Sequence, residues 1–184
     1  MKKIETGIEG LIVIEPQVFG DSRGYFFECW NKERFKEIGI DTIFVQDNES
    51  LSSYGVIRGL HYQLYPYSQA KLVRVTRGKV FDVAVDIRKN SPTFGKCFGI
   101  ELSEENKLQM FIPRGFAHGF SVLSDQAVFS YKCDGVYNQQ AERGINIYDK
   151  SLNIDWRVKS ENAIVSGKDT QHPEMATAEM NFIL

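Results

Sequence analysis

The chain has 184 residues, enough for one domain with its own core and too few to require a second. Its formal charge is −2, with no basic block and no acidic tail, which excludes a general nucleic-acid or anionic-membrane surface. No run approaches the roughly 18 consecutive apolar residues of a membrane span. The first residues carry no apolar signal core, and the three cysteines, Cys29, Cys97 and Cys133, are odd in number and widely spaced. These features predict a cytoplasmic protein with reduced, buried thiols rather than a disulfide frame or a zinc site.

Taken in chain order, Gly10 to Ile14 is a short apolar run leading into Glu15-Pro16. Phe19-Gly20-Asp21-Ser22-Arg23-Gly24 reads as a turn and Tyr25 to Trp30 as an aromatic strand. A helix is predicted over Lys32 to Ile38, with Asn31 as cap, Phe35 and Ile38 on one face, and Gly39 as the stop. Lys71 to Thr76 and Lys79 to Arg88 both alternate with period two and are split by Arg77-Gly78, which predicts a hairpin. The second of these strands sets Phe81, Val83, Val85 and Ile87 opposite Asp82, Ala84, Asp86 and Arg88.

Further strands are predicted at Cys97 to Leu102, Gln109 to Pro113, Gly119 to Leu123 and Ala127 to Cys133, with Ser103 placed to cap one helical turn at Glu104-Glu105. Short strands at this spacing predict a mainly β sandwich or barrel in a single domain, residues 1–184. From about Asp149 the pattern is less regular. Trp156 is the expected packing anchor there, the segment after Pro173 reads as a loosely held tail, and His172 as a solvent-exposed tail residue.

Only three histidines occur, and two of them, His61 and His118, sit in short strand-like segments ended by glycine or proline. Taken alone, such a histidine is as readily structural as chemical. In a regular strand His61 shares its face with Ile57, Gly59 and Gln63, whereas Arg58 points the other way. Only a bulge at Gly59 would turn both toward one pocket.

The spacing Gly55, five residues, His61-Tyr62-Gln63, then Lys71, six residues, Gly78 resembles the first cupin motif, and Pro113, Gly115 and His118 resemble the second. That resemblance implies a cupin-type jelly roll. Metal-binding cupins carry His, His, Glu and His where this chain has His61, Gln63, Lys71 and His118. An ammonium at the anionic ligand position repels a cation and cannot coordinate it, so no metal is expected there.

With this substitution the chain resembles the dTDP-4-dehydrorhamnose 3,5-epimerase family over nearly its whole length. The matching stretches are Phe19-Gly20-Asp21 with Arg23-Gly24, Phe44 to Asn48, Arg58 to Gln63, Lys71-Leu72-Val73, Asp82 to Asp86 with Ser91 to Gly95, Ile112 to Phe120, Tyr131-Lys132 and Lys168-Asp169. The resemblance implies cofactor-free epimerisation at C3 and C5 of a dTDP-4-dehydro-6-deoxy sugar by a homodimer. It also implies His61 as base, Asp169 as the carboxylate that orients it, Lys71 as the cation beside the enolate and Tyr131 as the acid on the opposite face.

Of the substrate-binding residues it implies, Arg58 meets the diphosphate, His118 the sugar, and Gln46 and Asn48 supply neutral donors. Tyr137 would stack on thymine, with Glu142 and Lys168 as further contacts. Arg23, Phe26 and Glu28 come from the N-terminal segment, about residues 1–30, which in the family crosses to the partner's site. Cys133-Asp134-Gly135-Val136 is the least family-like stretch near the site. Three alternatives stay open: a 3-epimerase or an epimerase of another 4-keto sugar nucleotide, a metal-dependent cupin, and a sugar-nucleotide-binding cupin without catalysis.

Overall fold

The structure, a computed structural model, describes residues 1–184. Its strands in chain order are β1 (Lys2–Glu5), β2 (Ile12–Glu15), β3 (Phe19–Asp21), β4 (Gly24–Phe26), β5 (Gln46–Ser53), β6 (Val56–Gln63) and β7 (Lys71–Arg77). They continue as β8 (Lys79–Asp86), β9 (Cys97–Ser103), β10 (Gln109–Ile112), β11 (Phe116–Val122), β12 (Gln126–Cys133), β13 (Glu142–Gly144) and β14 (Ile164–Val165). Two short helices, α1 (Lys32–Glu37) and α2 (Gly167–Thr170), complete the set.

One sheet runs β1-β2-β10-β7-β12-β5, and the other runs β13-β6-β11-β8-β9 with β14 also on β6. Every pairing between these strands is antiparallel except β14 on β6. This is the jelly-roll sandwich that the strand spacing and the cupin resemblance predict. β3 and β4 form a separate two-stranded ribbon.

Alternating side chains fill the space between the sheets. Val73 and Val75 of β7 and Phe129 of β12 pack against Val80, Ala84, Phe116 and Phe120 of the second sheet. Each sheet also buries its outer face. Ile57, Leu60, Tyr62, Phe81, Val83 and Val85 lie under a C-terminal layer that includes Ile145, Leu152, Trp156, Met180 and Phe182. On the other sheet Ile12, Ile14, Leu72 and Phe111 lie under Phe35 and Ile40. Side chains of this size contribute roughly 1.5–3 kcal/mol each when taken fully out of water, so the outer layers matter as much as the centre.

The predicted helix forms as expected, with Asn31 Oδ1 accepting from the N–H groups of Glu33 and Arg34. Trp156 is buried and donates its indole N–H to the Ile147 carbonyl. Ser103 Oγ accepts from the Asn106 N–H and closes a single turn rather than a helix.

Three expectations need correction. β7 and β8 are not a hairpin: β7 pairs with β10 and β12, β8 with β9 and β11, and Gly78 (φ +75°) carries the chain from one sheet to the other. A side chain there would collide with the Gln126 carbonyl. Both faces of β8 lie inside the molecule, Asp82 and Asp86 included. The aromatic strand predicted to Trp30 stops at Phe26, in an exposed ribbon. The tail after Pro173 is not loose: Met180 and Phe182 join the core, and Ile183 bridges to Lys89.

Asp86 sits where β8 ends. Its carboxylate accepts from the Arg88 guanidinium at 2.8 and 2.9 Å and from the hydroxyls of Ser91 and Thr93 at 2.7 Å. Burial pushes its pKa up, but these bonds outweigh it and take the carboxyl down to about 2.

Candidate active site

The decisive local event is in β6. His61 lies opposite His118 of β11, yet Arg58 lies opposite Phe120, so Gly59 and Leu60 together face Gly119 alone. This is the bulge that the sequence requires for Arg58 and His61 to share a face. It needs glycine on both strands: a Cβ on Gly59 (φ +150°) would lie 2.7 Å from Gly119 Cα, and one on Gly119 2.7 Å from the Arg58 carbonyl oxygen. Leu60 and Tyr62 turn to the rear core, and Arg58 Nε donates to Ser52 Oγ at 3.1 Å.

His61 Nε2 meets Asp169 Oδ1 at 2.7 Å. Asp169 is presented by α2, whose cap Ser166 accepts the Asp169 N–H at 3.1 Å, and the Gly59 N–H reaches Oδ2 at 3.4 Å. Burial raises the Asp169 pKa, but the His61 hydrogen bond and charge, with the Gly59 N–H, outweigh it and hold the carboxyl below its ordinary range. A carboxylate at Nε2 fixes the proton on that nitrogen and leaves the lone pair at Nδ1.

The facing sheet supplies the other half. Lys71 opens β7 and Tyr131 lies on β12, with the ammonium 5.9 Å from the phenol ring centroid. Burial lowers the Lys71 pKa, and Cys133, Asp82 and Glu142 act against that shift. Burial also raises the Tyr131 phenol, which therefore keeps its proton through neutrality. On the first wall His118 is buried, its Nε2 3.0 Å from both oxygens of Asp82, and burial lowers its pKa against the pull of that carboxylate.

These groups line adjoining cavities that share His61. A cavity of about 300 Å³ is bounded by Gln46, Asn48, His61, Lys71, His118, Tyr131, Tyr137 and Glu142. A smaller one of about 190 Å³ adds Arg58, and a groove of about 400 Å³ runs past Arg58, His61, Lys168 and Asp169. At the rim Tyr137 donates its hydroxyl to Glu142 Oε2 at 2.8 Å, and Lys168 pairs with the same carboxylate. Burial raises the Glu142 pKa, and the bonds from Lys168 and Tyr137 overcome it and hold the carboxyl low. Gln46 joins Asn48 at 3.0 Å and accepts the Tyr137 N–H at 3.1 Å.

Eleven of the fourteen residues named from the sequence thus gather around one cleft. Arg23, Phe26 and Glu28 do not line it. Arg23, with 88% of its side chain exposed, pairs with Asp21 on the ribbon, and Glu28 pairs with Asn31 and Arg34.

Three polar residues at the site were not singled out from the sequence. Asp82 reads from the sequence only as the face opposite Phe81 and Val83, and the burial of both β8 faces exposes its role beside His118. Gln63, at a ligand position of metal-binding cupins, accepts the Asn138 N–H at 2.6 Å and donates to the Tyr67 carbonyl, tying two rim loops together. His172 is the third and is a correction: its side chain is 13% exposed, and its Nε2 lies 3.7 Å from Asp169. Nothing in its flanking residues marks it, because α2 alone brings it back to β6.

A hydrogen-bonded imidazole and carboxylate on one wall, with an ammonium and a protonated phenol on the other, suit proton transfer at a carbon next to a carbonyl. The sequence profile of the dTDP-4-dehydrorhamnose 3,5-epimerase family matches residues 5–177. A dTDP-4-dehydrorhamnose 3,5-epimerase of Shigella flexneri is 54% identical over 180 residues, covering 97% of this chain and 98% of that protein. The crystal structure of a dTDP-4-dehydrorhamnose 3,5-epimerase from Elizabethkingia anophelis is 54% identical with a TM-score of 0.91, covering 95% of this chain and 96% of that one. A dTDP-6-deoxy-D-glucose-3,5-epimerase from Legionella pneumophila, solved in complex with dTDP-4-keto-L-rhamnose, is 48% identical with a TM-score of 0.92, covering 96% and 93%.

Proposed function

The chain belongs to the dTDP-4-dehydrorhamnose 3,5-epimerase family, and on that footing we propose that its cleft converts dTDP-4-dehydro-6-deoxy-D-glucose to dTDP-4-dehydro-L-rhamnose. The observation that carries this reading is the opposition of the His61–Asp169 pair to Lys71 and Tyr131 across the two sheets.

C3 and C5 both flank the C4 ketone. His61 Nδ1 takes the proton from one of them, and the electron pair left behind forms an enolate whose charge gathers on the C4 oxygen. Asp169 stabilises the imidazolium that results, and the Lys71 ammonium offsets the charge on the oxyanion. Tyr131 returns its phenolic proton to the opposite face of the same carbon, which inverts it. His61 then loses its proton and Tyr131 regains one, and the cycle repeats at the second carbon. Only protons move, so the steps call for neither a redox cofactor nor a metal.

Arg58 with Lys168 suits the diphosphate, and Gln46, Asn48, His118, Tyr137 and Glu142 suit the sugar and base, which supports their assignment as binding groups. Residues 1–184 act as a single domain. The exposed aromatics Phe19, Tyr25 and Phe26 on the ribbon support a homodimer in which Arg23, Phe26 and Glu28 complete the partner's cleft. Three free cysteines support a reducing, cytoplasmic location.

Incubation with the 4-keto nucleotide sugar in D2O tests the chemistry. Deuterium should enter both C3 and C5 of the inverted product. Exchange at one carbon alone would make the protein a single epimerase, and binding without exchange would overturn the assignment of His61 as base.

A further inference from the structure

One histidine, His172, lines none of the cleft's cavities and has no part in the proposed epimerisation. The His172 ring packs over Gly144, where any side chain would collide with it, and its centre lies 5.9 Å from that of His61. Its Nε2 is buried without a hydrogen-bond partner, 3.7 Å from the same Asp169 Oδ1 that His61 Nε2 meets at 2.7 Å. A sealed imidazole nitrogen with no partner is costly, which points to something that engages its lone pair.

One ligand atom from each of His61, Asp169 and His172 lies within 4.8 Å of the others. Around a tetrahedral zinc with bonds of 2.0–2.2 Å, ligand atoms sit about 3.3 Å apart. The separations of 2.7 and 3.7 Å bracket that value. Two imidazoles and a carboxylate are a donor set for Zn²⁺, Co²⁺ or Ni²⁺. The nearby cation, Lys168, is already engaged by Glu142.

We propose that His61, Asp169 and His172 form an inhibitory site for a divalent transition ion such as Zn²⁺. The ion takes the lone pair of His61 Nε2, and the single proton of the neutral ring then resides on Nδ1, so the lone pair that serves as base is gone. Asp169 exchanges its imidazole donor for the ion. The site lies behind His61, away from the cupin metal position that Lys71 occupies. Ion binding does not depend on the epimerase reading and is measured separately from turnover.

The test uses full-length protein stripped with EDTA. Three histidines give three resolvable imidazoles in long-range ¹H–¹⁵N spectra. Stoichiometric Zn²⁺ should shift the nitrogens of His61 and His172 and leave those of His118 in place, and Co²⁺ should give visible d–d bands. Zn²⁺ should also suppress deuterium exchange, reversibly with EDTA. His172→Ala and His172→Gln should each weaken Co²⁺ and Zn²⁺ binding at least about ten-fold, no less than the loss of an outer-shell partner costs other sites. Perturbation of His118 instead, no perturbation of any imidazole, or equal ion affinity in a folded His172 variant would overturn the proposal.

Discussion

At the level of single residues, the two walls divide the labour, and each side chain has a separable signature. Tyr131 is the proposed donor to the face that His61 does not reach. In Tyr131→Phe, His61 can still remove a proton and return one to the same face. Deuterium should therefore continue to wash into the substrate while inverted product falls by about 10²–10⁴-fold, the usual worth of a positioned acid. Parallel loss of exchange and inversion would show that Tyr131 does more than donate. Lys71→Met keeps the length and removes the charge, and should lower both exchange and inversion by about 10²–10³-fold, as loss of one oxyanion donor does. Steady-state turnover unchanged in that variant would remove Lys71 from the mechanism.

At the level of elements, what was legible depended on whether the signal was local. The α1 helix was readable because its cap, apolar face and stop are contiguous. The Gly59 bulge was readable as a requirement, since Arg58 and His61 cannot otherwise share a face. The β7–β8 connection was misread because Arg77-Gly78 looks like a hairpin turn, and only partner strands far along the chain show that it changes sheets. The burial of Asp82 and the return of His172 were hidden for the same reason: each depends on an element distant in sequence. Asp169 lies more than a hundred residues from His61, and only the family resemblance linked them.

The bulge also makes a prediction at this scale. Gly59→Ala must relieve a 2.7 Å approach to Gly119 and hold alanine at φ +150°. It should cost about 1–3 kcal/mol in chemical denaturation. Activity should fall further than that loss explains, because Arg58 and His61 lose their common face. Full activity in Gly59→Ala would show that the bulge is dispensable.

For the whole molecule, the sandwich is held at one end by a buried charge cluster. Asp86 has a folded pKa of about 2, below the ordinary aspartate value of about 4. A depressed carboxyl stabilises the fold fully above its unfolded pKa and loses that contribution as pH falls through the folded one. The Asp86 contribution is therefore complete at neutrality and disappears between about pH 4 and pH 2. Asp86→Asn should cost about 3–5 kcal/mol at pH 7, since it leaves Arg88 buried without its partner. Its stability should then decline less steeply than the parent's below pH 4. Denaturation curves at a series of pH values read both effects, and an identical acid slope would exclude Asp86 as a contributor.

The sheet change at Gly78 has a mechanical consequence. Because a single residue joins β7 to β8, the two walls of the cleft are tied closely together there, and a relative rotation about that point would grow along the strands. At about 3.3 Å per residue, Lys71 lies roughly 23 Å from that point and Asp82 roughly 13 Å. A tilt of about three degrees would carry Lys71 through roughly 1.2 Å, and a misplacement of about 1 Å can cost a hundred-fold in rate. A glycine that lines none of the cavities thus stands at one of the points where the oxyanion cation's sheet is tied to the sheet of the histidine base.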